Sequence, residues 1–281
     1  MAGNSATNRE MDEFAARVGA LSSPLPVYHQ LREELSYPNP SANRISDIIS
    51  KDPSLSSKLL QVVNTAYISL FKTVGTVTEA IDHLGVEPVA NIVLGAEIFS
   101  ILEPKEFSGH FVASLWRHSI YCSALALRIA EMEGLPSGLV MESSTAAFLH
   151  DIGKLAMAKE NPARYQEALS WADEDVIPHY QAANRVFGFD HAKLGGILLS
   201  EWDLPNSIRE AVAFHHTPRN TSELSLNPLA ILHVTNYLEH RRMNEAVESA
   251  IVELDLDYIR NIGVNTKLEV WQEVITTQNP Y

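Results

Sequence analysis

Side chains that can bind a metal ion and a phosphate group lie close together in the segment 148–154 (FLHDIGK). The imidazole of His150 and the carboxylate of Asp151 are adjacent near a predicted helix end, where both can reach one divalent metal ion. Gly153 lets a backbone or a substrate approach closely. Lys154, four residues after His150 and on the same predicted helix face, can meet a phosphate oxygen. The segment therefore predicts a metal site with a phosphate contact.

Four further histidines lie within or beside predicted helices whose other residues are apolar: His118, His191, His215 and His216. A single helical histidine is more often a hydrogen-bonded core or boundary residue than a ligand. Five isolated histidines are interpreted in that way: His29, His83, His110, His179 and His240. The group around His150 and Asp151 is instead interpreted as a metal centre. Imidazole and carboxylate ligands suit Fe, Mn, Zn, Ni or Co rather than Ca or Mg, so the predicted cofactor is a divalent transition metal, with one or two ions.

The charge balance limits the classes of partner. The chain has 35 acidic and 21 basic residues, and its formal net charge is −14. A field of that sign repels nucleic-acid backbones and anionic lipid headgroups. The most basic stretch, residues 240–242, is better explained as a helix end, where cations suit the negative dipole pole. We therefore expect neither a nucleic-acid partner nor a membrane partner.

Cysteine usage and hydropathy indicate a cytoplasmic protein. The single cysteine, Cys122, cannot form an internal disulfide, which fits a reducing compartment. It lies in the apolar helical segment 120–129 and is interpreted as an inert core residue. The N-terminus is polar, without the apolar region of a signal peptide, and no run of eighteen apolar residues occurs, so we expect no membrane span.

Helical periodicity dominates the chain, and no alternating strand pattern with hairpin turns is found, so the predicted fold class is all-α. The first predicted helices cover residues 27–35, 45–50, 53–64, 77–84 and 87–101, with Gly85 as a C-terminal stop. The later ones cover residues 110–133, 142–157, 162–171, 175–186, 190–201, 205–216 and 228–242. Two or three shorter helices are expected after residue 244, the last of them near Leu268 to Thr276.

The segment 102–105 (LEPK) is the predicted boundary between two helical subdomains. The resulting organisation is a tail and first helix at 1–20, an N-terminal helical subdomain at 21–105, a second helical subdomain with the metal-site pattern at 106–242, and C-terminal helices at 243–281. Residues 1–10 are expected to be disordered. The two central subdomains could also share one core, in which case the boundary is only a loop.

Several motifs together resemble the HD-related output domain (HDOD) family, over about residues 21–242. The motifs are Leu25-Pro26, segment 48–60 (IISKDPSLSSKLL), segment 63–67 (VNTAY), segment 77–85 (VTEAIDHLG), segment 187–196 (FGFDHAKLGG) and segment 202–205 (WDLP). The resemblance implies an all-helical bacterial signalling module, with a multi-helix bundle like the HD domain behind an N-terminal helical subdomain. Many members of the family have lost the His-Asp doublet, whereas this chain keeps it.

The order of His118, the His150-Asp151 doublet and Asn236 resembles the HD phosphohydrolase superfamily, which holds metal through a histidine, a His-Asp doublet and a later aspartate. This likeness implies that His118, His150 and Asp151 form a core metal site completed by Asn236. Similarity to the HD-GYP cyclic-di-GMP phosphodiesterases implies that further positions bind additional metal, namely His191, His215 and His216. It also implies that Lys154 contacts a substrate phosphate.

Three departures from the enzyme pattern concern catalysis. Asn236 stands where the superfamily has its final aspartate, and a neutral ligand balances less metal charge than a carboxylate. Ser114, one turn before His118, stands where HD-GYP proteins have a glutamate. The Gly-Tyr-Pro signature is absent after Lys154. His233, three residues before Asn236, could compensate as a ligand, although packing explains it more simply.

Two functions from different classes remain open, together with a scaffold whose histidines are vestigial. The first is a signalling or regulatory output protein with a His/Asp metal site, which binds a signalling protein or a small phosphorylated ligand. The alternative is a metal-dependent phosphohydrolase, either a phosphomonoesterase or a nucleotide or cyclic-dinucleotide phosphodiesterase. In that case a metal-activated water attacks the phosphate, and Lys154 and Asp151 are the candidate catalytic residues.

Overall fold

A computed structural model describes residues 2–19, 26–37, 40–66, 73–244 and 253–277. These residues form helices and their connections without any strand, which confirms the all-α class. Residues Leu25 and Tyr67 of the family motifs, and parts of the C-terminal segment 243–281, lie outside the described residues. Among the helices that are described, none combines the length and the apolar character needed to cross a bilayer.

The first six helices precede the predicted boundary. They are α1 (Ala2–Gly19), α2 (Pro26–Leu35), α3 (Ala42–Ser50), α4 (Pro53–Ala66), α5 (Val77–Leu84) and α6 (Val86–Leu102). The expected disorder of residues 1–10 is wrong, because α1 begins at Ala2. Helix α1 packs on the second half of the chain through Phe14, whose ring meets Phe187 and Phe189 edge to face. This apolar contact lies in the fourth turn of a weakly amphipathic helix and holds that helix against the bundle. The polar residues before Phe14 gave no local sign of it.

Eight helices follow, and they carry the candidate site. They are α7 (Gly109–Met132), α8 (Ser137–Leu149), α9 (Ile152–Glu160), α10 (Pro162–Asp175), α11 (His179–Phe187), α12 (His191–Glu201), α13 (Asn206–Phe214) and α14 (Pro228–Asn244). Two short helices complete the described chain: α15 (Leu256–Asn261) and α16 (Leu268–Thr277). Short 3-10 turns lie at Pro218–Asn220 and Asn265–Lys267.

The single helix expected over 142–157 is wrong, because the chain breaks between α8 and α9 at His150 and Asp151. Asp151 has φ −101° and ψ 6°, outside the helical region. This break was not predicted from the sequence. Residues 143–149 are all buried, so this part of the helix has no exposed polar face, and the end of α8 left no change in the polar pattern. As a result, His150 and Lys154 do not share one continuous helix face.

Helix α6 joins the first half of the chain to the second. Its Asn91 lies in a buried polar network in which the side-chain amide donates to Ser144 Oγ at 2.8 Å and the amide oxygen accepts from Thr145 Oγ1 at 2.8 Å. One turn later, a Cβ on Gly95 would lie 2.0 Å from the Phe148 ring, so only glycine fits. The predicted boundary at 102–105 lies in the connection between α6 and α7, and buried residues on both sides of it form one continuous core.

Candidate metal centre

The predicted site residues come from five parts of the bundle. His118 lies on α7, His150 and Asp151 lie at the junction of α8 and α9, and His191 is the first residue of α12. His215 and His216 follow α13, and Asn236 lies on α14. The structure brings all of them into one cluster in which each side chain contacts at least one other.

One group of ligand atoms surrounds His118. Its Nε2 lies 3.2 Å from His150 Nε2 and 3.2 Å from Asn236 Oδ1. Asp151 Oδ2 lies 3.5 Å from His150 Nε2 and 3.9 Å from His118 Nε2. Two imidazole nitrogens, one carboxylate oxygen and one amide oxygen therefore converge, which is a ligand set that transition metals accept.

A second group surrounds His191. Its Nε2 lies 3.1 Å from His216 Nε2 and 3.2 Å from Asp151 Oδ1. The ligand atoms of His191, His215 and His216 all lie within 4.8 Å of one another. Asp151 therefore faces the His118 group with one carboxylate oxygen and the His191 group with the other, the arrangement that a ligand shared between two positions requires.

Backbone contacts set the tautomers of two of these histidines. His150 Nδ1 donates to Ala147 O and His215 Nδ1 donates to Val212 O, each at 2.8 Å. Because a carbonyl oxygen can only accept, Nδ1 carries the proton and Nε2 of the neutral ring presents a lone pair. Such backbone bonds are typical of metal-binding histidines, since they orient the ring and fix its tautomer.

One buried polar atom of the cluster, His215 Nε2, has no hydrogen-bond partner among the described residues, and Asp151 Oδ1 has only the His191 ring nitrogen, at 3.2 Å. Burying a polar atom without a partner costs about 1–3 kcal/mol. Both atoms can act as metal ligands, and both face the interior of the cluster. A metal ion would satisfy them, so the residues present fit the metal that the sequence predicts.

Burial and local charge favour the protonation states that metal binding needs. Burial lowers the pKa of His118 and His215 well below the ordinary histidine value, and it also lowers the pKa of His150. Burial acts to raise the pKa of Asp151, but neighbouring positive charge holds that pKa well below its ordinary value. With the imidazoles neutral, the cation responsible is Lys154, whose Nζ lies 2.7 Å from Asp151 Oδ2.

Gly153 allows α9 to approach α12. A Cβ at this position would lie 2.0 Å from the backbone oxygen of His191, which no side chain can accommodate without moving the backbone. Asp190 caps α12 by accepting from Lys193 N at 2.9 Å, so the helix begins at His191. The close approach therefore places His191 beside Asp151. The phosphate contact expected for Lys154 stays a prediction, since its ammonium here contacts Asp151.

His233 has both ring nitrogens in hydrogen bonds. Its Nδ1 donates to His215 O at 2.7 Å, and its Nε2 accepts from Asp255 N at 2.9 Å. Neither nitrogen is available to a metal, so His233 positions the backbone of His215 instead. Ser114, at the position of the missing glutamate, donates its hydroxyl to Phe111 O at 2.9 Å.

Sequence reasoning missed two neighbours of the cluster. The ring of His240 lies 4.8 Å from that of His118, and burial lowers the pKa of His240 to about 3. Cys122 Sγ lies 3.6 Å from His118 Nε2, and burial raises the pKa of its thiol well above the ordinary value. The available signal was spacing, because His240 is four residues after Asn236 and Cys122 is four after His118, on the same helix faces.

A cavity of about 510 Å³ adjoins the His191 group. The Tyr180 ring stacks on His216 at its wall, with 4.3 Å between centroids and 14° between planes. Arg219 and Arg260 also line it, and both are paired with Asp257 at 3.2 Å and 3.1 Å. Glu253, Asp255 and Asp257 line it as well, so the cavity combines an aromatic face with charges of both signs near the candidate centre.

Comparison with known proteins supports the fold. The model of the HDOD domain family matches residues 21–218. A relative, an uncharacterized protein of Treponema pallidum (strain Nichols), is 22% identical over 187 residues, and the match covers 66% of this chain but only 36% of that protein. The chain thus spans about a third of the length of this relative.

Three crystal structures have the same architecture. A candidate phosphohydrolase from Shewanella amazonensis SB2B superposes with a TM-score of 0.68 at 19% identity, over 95% of this chain and 94% of that one. An HDOD domain protein of unknown function from Geobacter sulfurreducens gives 0.66 at 17% identity, over 89% and 90%. A candidate signal transduction protein from Marinobacter aquaeolei VT8 gives 0.71 at 17% identity, over 98% of this chain and 64% of that one. At these identities the likeness shows the fold.

Proposed function

Because the chain belongs to the HDOD domain family, we propose that it is a bacterial signalling output protein whose buried His/Asp centre holds one or two divalent transition metal ions. In this role the metal organises the helices that form the output module. The output itself is the binding of a signalling protein or of a small phosphorylated ligand.

The observation that carries the proposal is the convergence of unprotonated ligand atoms in the protein interior. His150 Nε2 and His215 Nε2 present lone pairs because Nδ1 of each ring donates to a backbone carbonyl. His215 Nε2 lacks a hydrogen-bond partner among the described residues, and Asp151 Oδ1 has only the His191 ring nitrogen, at 3.2 Å. A cluster meant only to pack would pair these atoms with donors, since unpaired buried polar atoms destabilise the fold.

The ligands would come from widely separated parts of the sequence, which supports a structural or sensory role. His118, His150, Asp151 and Asn236 would hold one ion, and His191, His215 and His216 the other, with Asp151 between them. Such a centre links α7, the junction of α8 and α9, α12, the end of α13 and α14. Metal loading would therefore change the stability and the relative positions of all these helices.

Two local features favour regulation over turnover. Asn236 supplies a neutral oxygen where a carboxylate would balance the charge of the metal. Lys154 pairs with Asp151 at 2.7 Å, so its ammonium contacts the metal-ligand carboxylate. Both features reduce the negative charge that the centre offers to a divalent ion.

The second candidate function is a metal-dependent phosphohydrolase, and the cavity beside His216 favours it. The cavity, of about 510 Å³, is large enough for a nucleotide-sized phosphate compound, and His216 and the Tyr180 ring lie at its wall. Arg219 and Arg260 also line it, and a phosphate there would compete for them with the acidic residues of the same wall, Glu253, Asp255 and Asp257. A bound metal would lower the pKa of a water ligand and polarise a phosphoryl oxygen. Lys154 would then stabilise charge on the phosphate, and Asp151 would orient the centre.

Elemental analysis tests the proposal. Protein purified without a histidine tag and without added metal should contain about one or more equivalents of transition metal. His150→Ala should lose that metal while keeping its far-ultraviolet circular dichroism, with His83→Ala as the matched control that retains it. Metal-free wild-type protein that also takes up no Zn²⁺, Mn²⁺ or Fe²⁺ on titration would overturn the proposal.

A substrate screen separates the two candidate functions. Metal-loaded wild-type protein is incubated with phosphomonoesters, nucleotides and cyclic dinucleotides, beside Asp151→Ala as the inactive reference. Turnover that disappears in Asp151→Ala would favour the phosphohydrolase. Metal-dependent binding of one of these ligands without turnover would favour the signalling role.

A further inference from the structure

The thiol of Cys122 lies at the edge of the His118 group. Cys122 follows His118 by four residues on α7, so both side chains share one helix face. Its Sγ lies 3.6 Å from His118 Nε2 and 3.8 Å from His118 Nδ1. The ligand atoms of His118, Cys122 and His150 all lie within 4.8 Å of one another, and Cys122 is fully buried.

We infer that Cys122 is a thiolate ligand of the metal position at His118 and His150, where it supplies the negative charge that Asn236 does not. The inference rests on the proposed function, because it requires a metal ion at this cluster. It changes the chemical class of the centre from a nitrogen and oxygen site to one that includes sulfur, and hence the metals that the centre prefers.

The spacing of the two imidazole nitrogens agrees with a four-coordinate site, and the Cys122 sulfur lies beside that site. Bonds of about 2.3 Å to sulfur and about 2.05 Å to imidazole nitrogen, at tetrahedral angles, separate sulfur from nitrogen by about 3.6 Å and two nitrogens by about 3.3 Å. The structure has 3.2 Å between His118 Nε2 and His150 Nε2 and 3.6 Å between Cys122 Sγ and His118 Nε2. Because Sγ is also only 3.8 Å from His118 Nδ1, it lies beside the ring, and the His118 ring would have to turn for its Nε2 lone pair and Sγ to meet at one ion. Asn236 Oδ1, 3.2 Å from His118 Nε2, completes the set of four, in which Cys122 takes the place of Asp151 and leaves that carboxylate to the His191 group.

Charge gives the second argument. Two imidazoles and one amide are neutral, so without Cys122 the only negative charge near a divalent ion would be that of Asp151. The Asp151 carboxylate is already paired with Lys154 at 2.7 Å. Binding by Cys122 would break its S–H bond, form a sulfur–metal bond and release one proton to solvent, with no change in oxidation state. The thiolate then neutralises one positive charge inside the core.

A sulfur ligand predicts metal selectivity. Thiolate is a soft ligand that favours Zn²⁺ and Co²⁺, whereas Mn²⁺ prefers oxygen and nitrogen. Loss of a residue that only orients a ligand typically lowers metal affinity about 10- to 100-fold, so loss of a ligand itself should cost at least about tenfold. Cys122→Ser should therefore weaken Zn²⁺ and Co²⁺ binding by about tenfold or more, and Mn²⁺ binding by less.

The test is the near-ultraviolet thiolate-to-metal absorption of the full chain loaded with Co²⁺ in a buffer free of thiol reductants. The sequence contains one cysteine, so within one chain this band can arise only from Cys122. The band is expected in the wild type and absent in Cys122→Ser. The matched control combines Cys122→Ser with Ser123→Cys, which keeps one thiol on α7 but turns it towards Ser144, and it should also lack the band.

The outcomes distinguish this inference from the proposed function. A band in the wild type alone, with cobalt bound by the wild type and lost in His150→Ala, supports both. Cobalt bound by the wild type without the band overturns the role of Cys122 and leaves the metal centre standing. Failure of the wild type to bind cobalt or zinc at all overturns both. X-ray absorption of the zinc form gives an independent check, because a sulfur neighbour at about 2.3 Å is required.

Discussion

Two buried polar clusters of this protein differ in how they satisfy their hydrogen bonds. In the first, Asn91 on α6 bonds Ser144 and Thr145, and Ser123 Oγ lies 2.9 Å from Ser144 Oγ, so each side chain has a partner within the cluster. In the second, the metal centre, the Nε2 atoms of His118 and His150 lie 3.2 Å apart and His215 Nε2 has no partner among the described residues. A closed network stabilises packing, whereas an open one needs a ligand.

The two clusters lie on the same pair of helices, which makes the difference informative. Ser123 and Ser144 are on α7 and α8, and His118 and His150 are on α7 and at the end of α8. His150 and His215 are as buried as the Asn91 network, so burial does not explain the difference. The types of side chain do, because hydroxyls and amides can both donate and accept, while neutral imidazoles held by one nitrogen can only accept at the other.

The largest expected effect comes from the glycine that brings α9 against α12. Gly153→Ala places a Cβ 2.0 Å from the His191 backbone oxygen, so it should lower the free energy of unfolding by about 3 kcal/mol and also abolish metal binding. Urea unfolding and metal analysis measure the two effects.

Two other glycines act as controls for this change. Gly95→Ala, which meets Phe148 beside the closed network, should also destabilise the protein but retain the metal. Gly138→Ala, which meets no atom within 4 Å on α8, should retain the metal and should not destabilise the protein, since alanine favours a helix over glycine. Normal metal content in Gly153→Ala would contradict the positioning role of this glycine.

A smaller effect should separate the closed cluster from the open one by its dependence on metal. Asn91→Ala leaves the hydroxyls of Ser144 and Thr145 without their amide partner, so it should cost about 2 kcal/mol whether metal is present or chelated. His150→Ala should cost more in metal-loaded protein than in chelated protein, since only the loaded state gains binding energy. Thermal unfolding with and without a chelator gives all four values. An Asn91→Ala cost that depends on metal would remove the distinction between the clusters.

The smallest effect concerns Glu97 on α6, in the first half of the chain. Burial, followed by the charge of Asp52, raises the pKa of Glu97 to about 7, and its Oε2 has no hydrogen-bond partner among the described residues. The folded state therefore holds a proton that the unfolded state loses above about pH 4.5. The resulting stability is fully present below that pH and is lost as the pH rises towards 7.

Glu97→Gln should consequently stabilise the protein at pH 8 by about 1 kcal/mol, after allowance for the partial exposure of the carboxyl group, and have little effect at pH 4.5. Urea unfolding at the two pH values measures the difference. Glu87→Gln, at the start of the same helix, is the control for removal of a charge. An equal effect of Glu97→Gln at both pH values would rule out the raised pKa as the cause.

Local signals in the sequence were sufficient for much of the secondary structure. Helix α5 has the predicted bounds because Thr76 caps its first turn, accepting from Glu79 N at 3.1 Å, and Gly85 ends it at φ 87°. The break at His150 was missed because one of its causes is not local. The bond from His150 to Ala147 and the salt bridge of Asp151 with Lys154 each join residues three apart, but the contact of Gly153 with His191 joins distant parts of the chain and depends on the packed bundle.

The sequence by itself determined the all-α class, most helix bounds and which histidines are candidates for a metal centre, since residue type, periodicity and capping act over one or two turns. Only the tertiary structure decided which atoms meet. The position of Asp151 between two groups and the packed role of His233, which bonds His215 and Asp255, arise from residues far apart in the chain. Such contacts depend on helix packing, which no local pattern encodes.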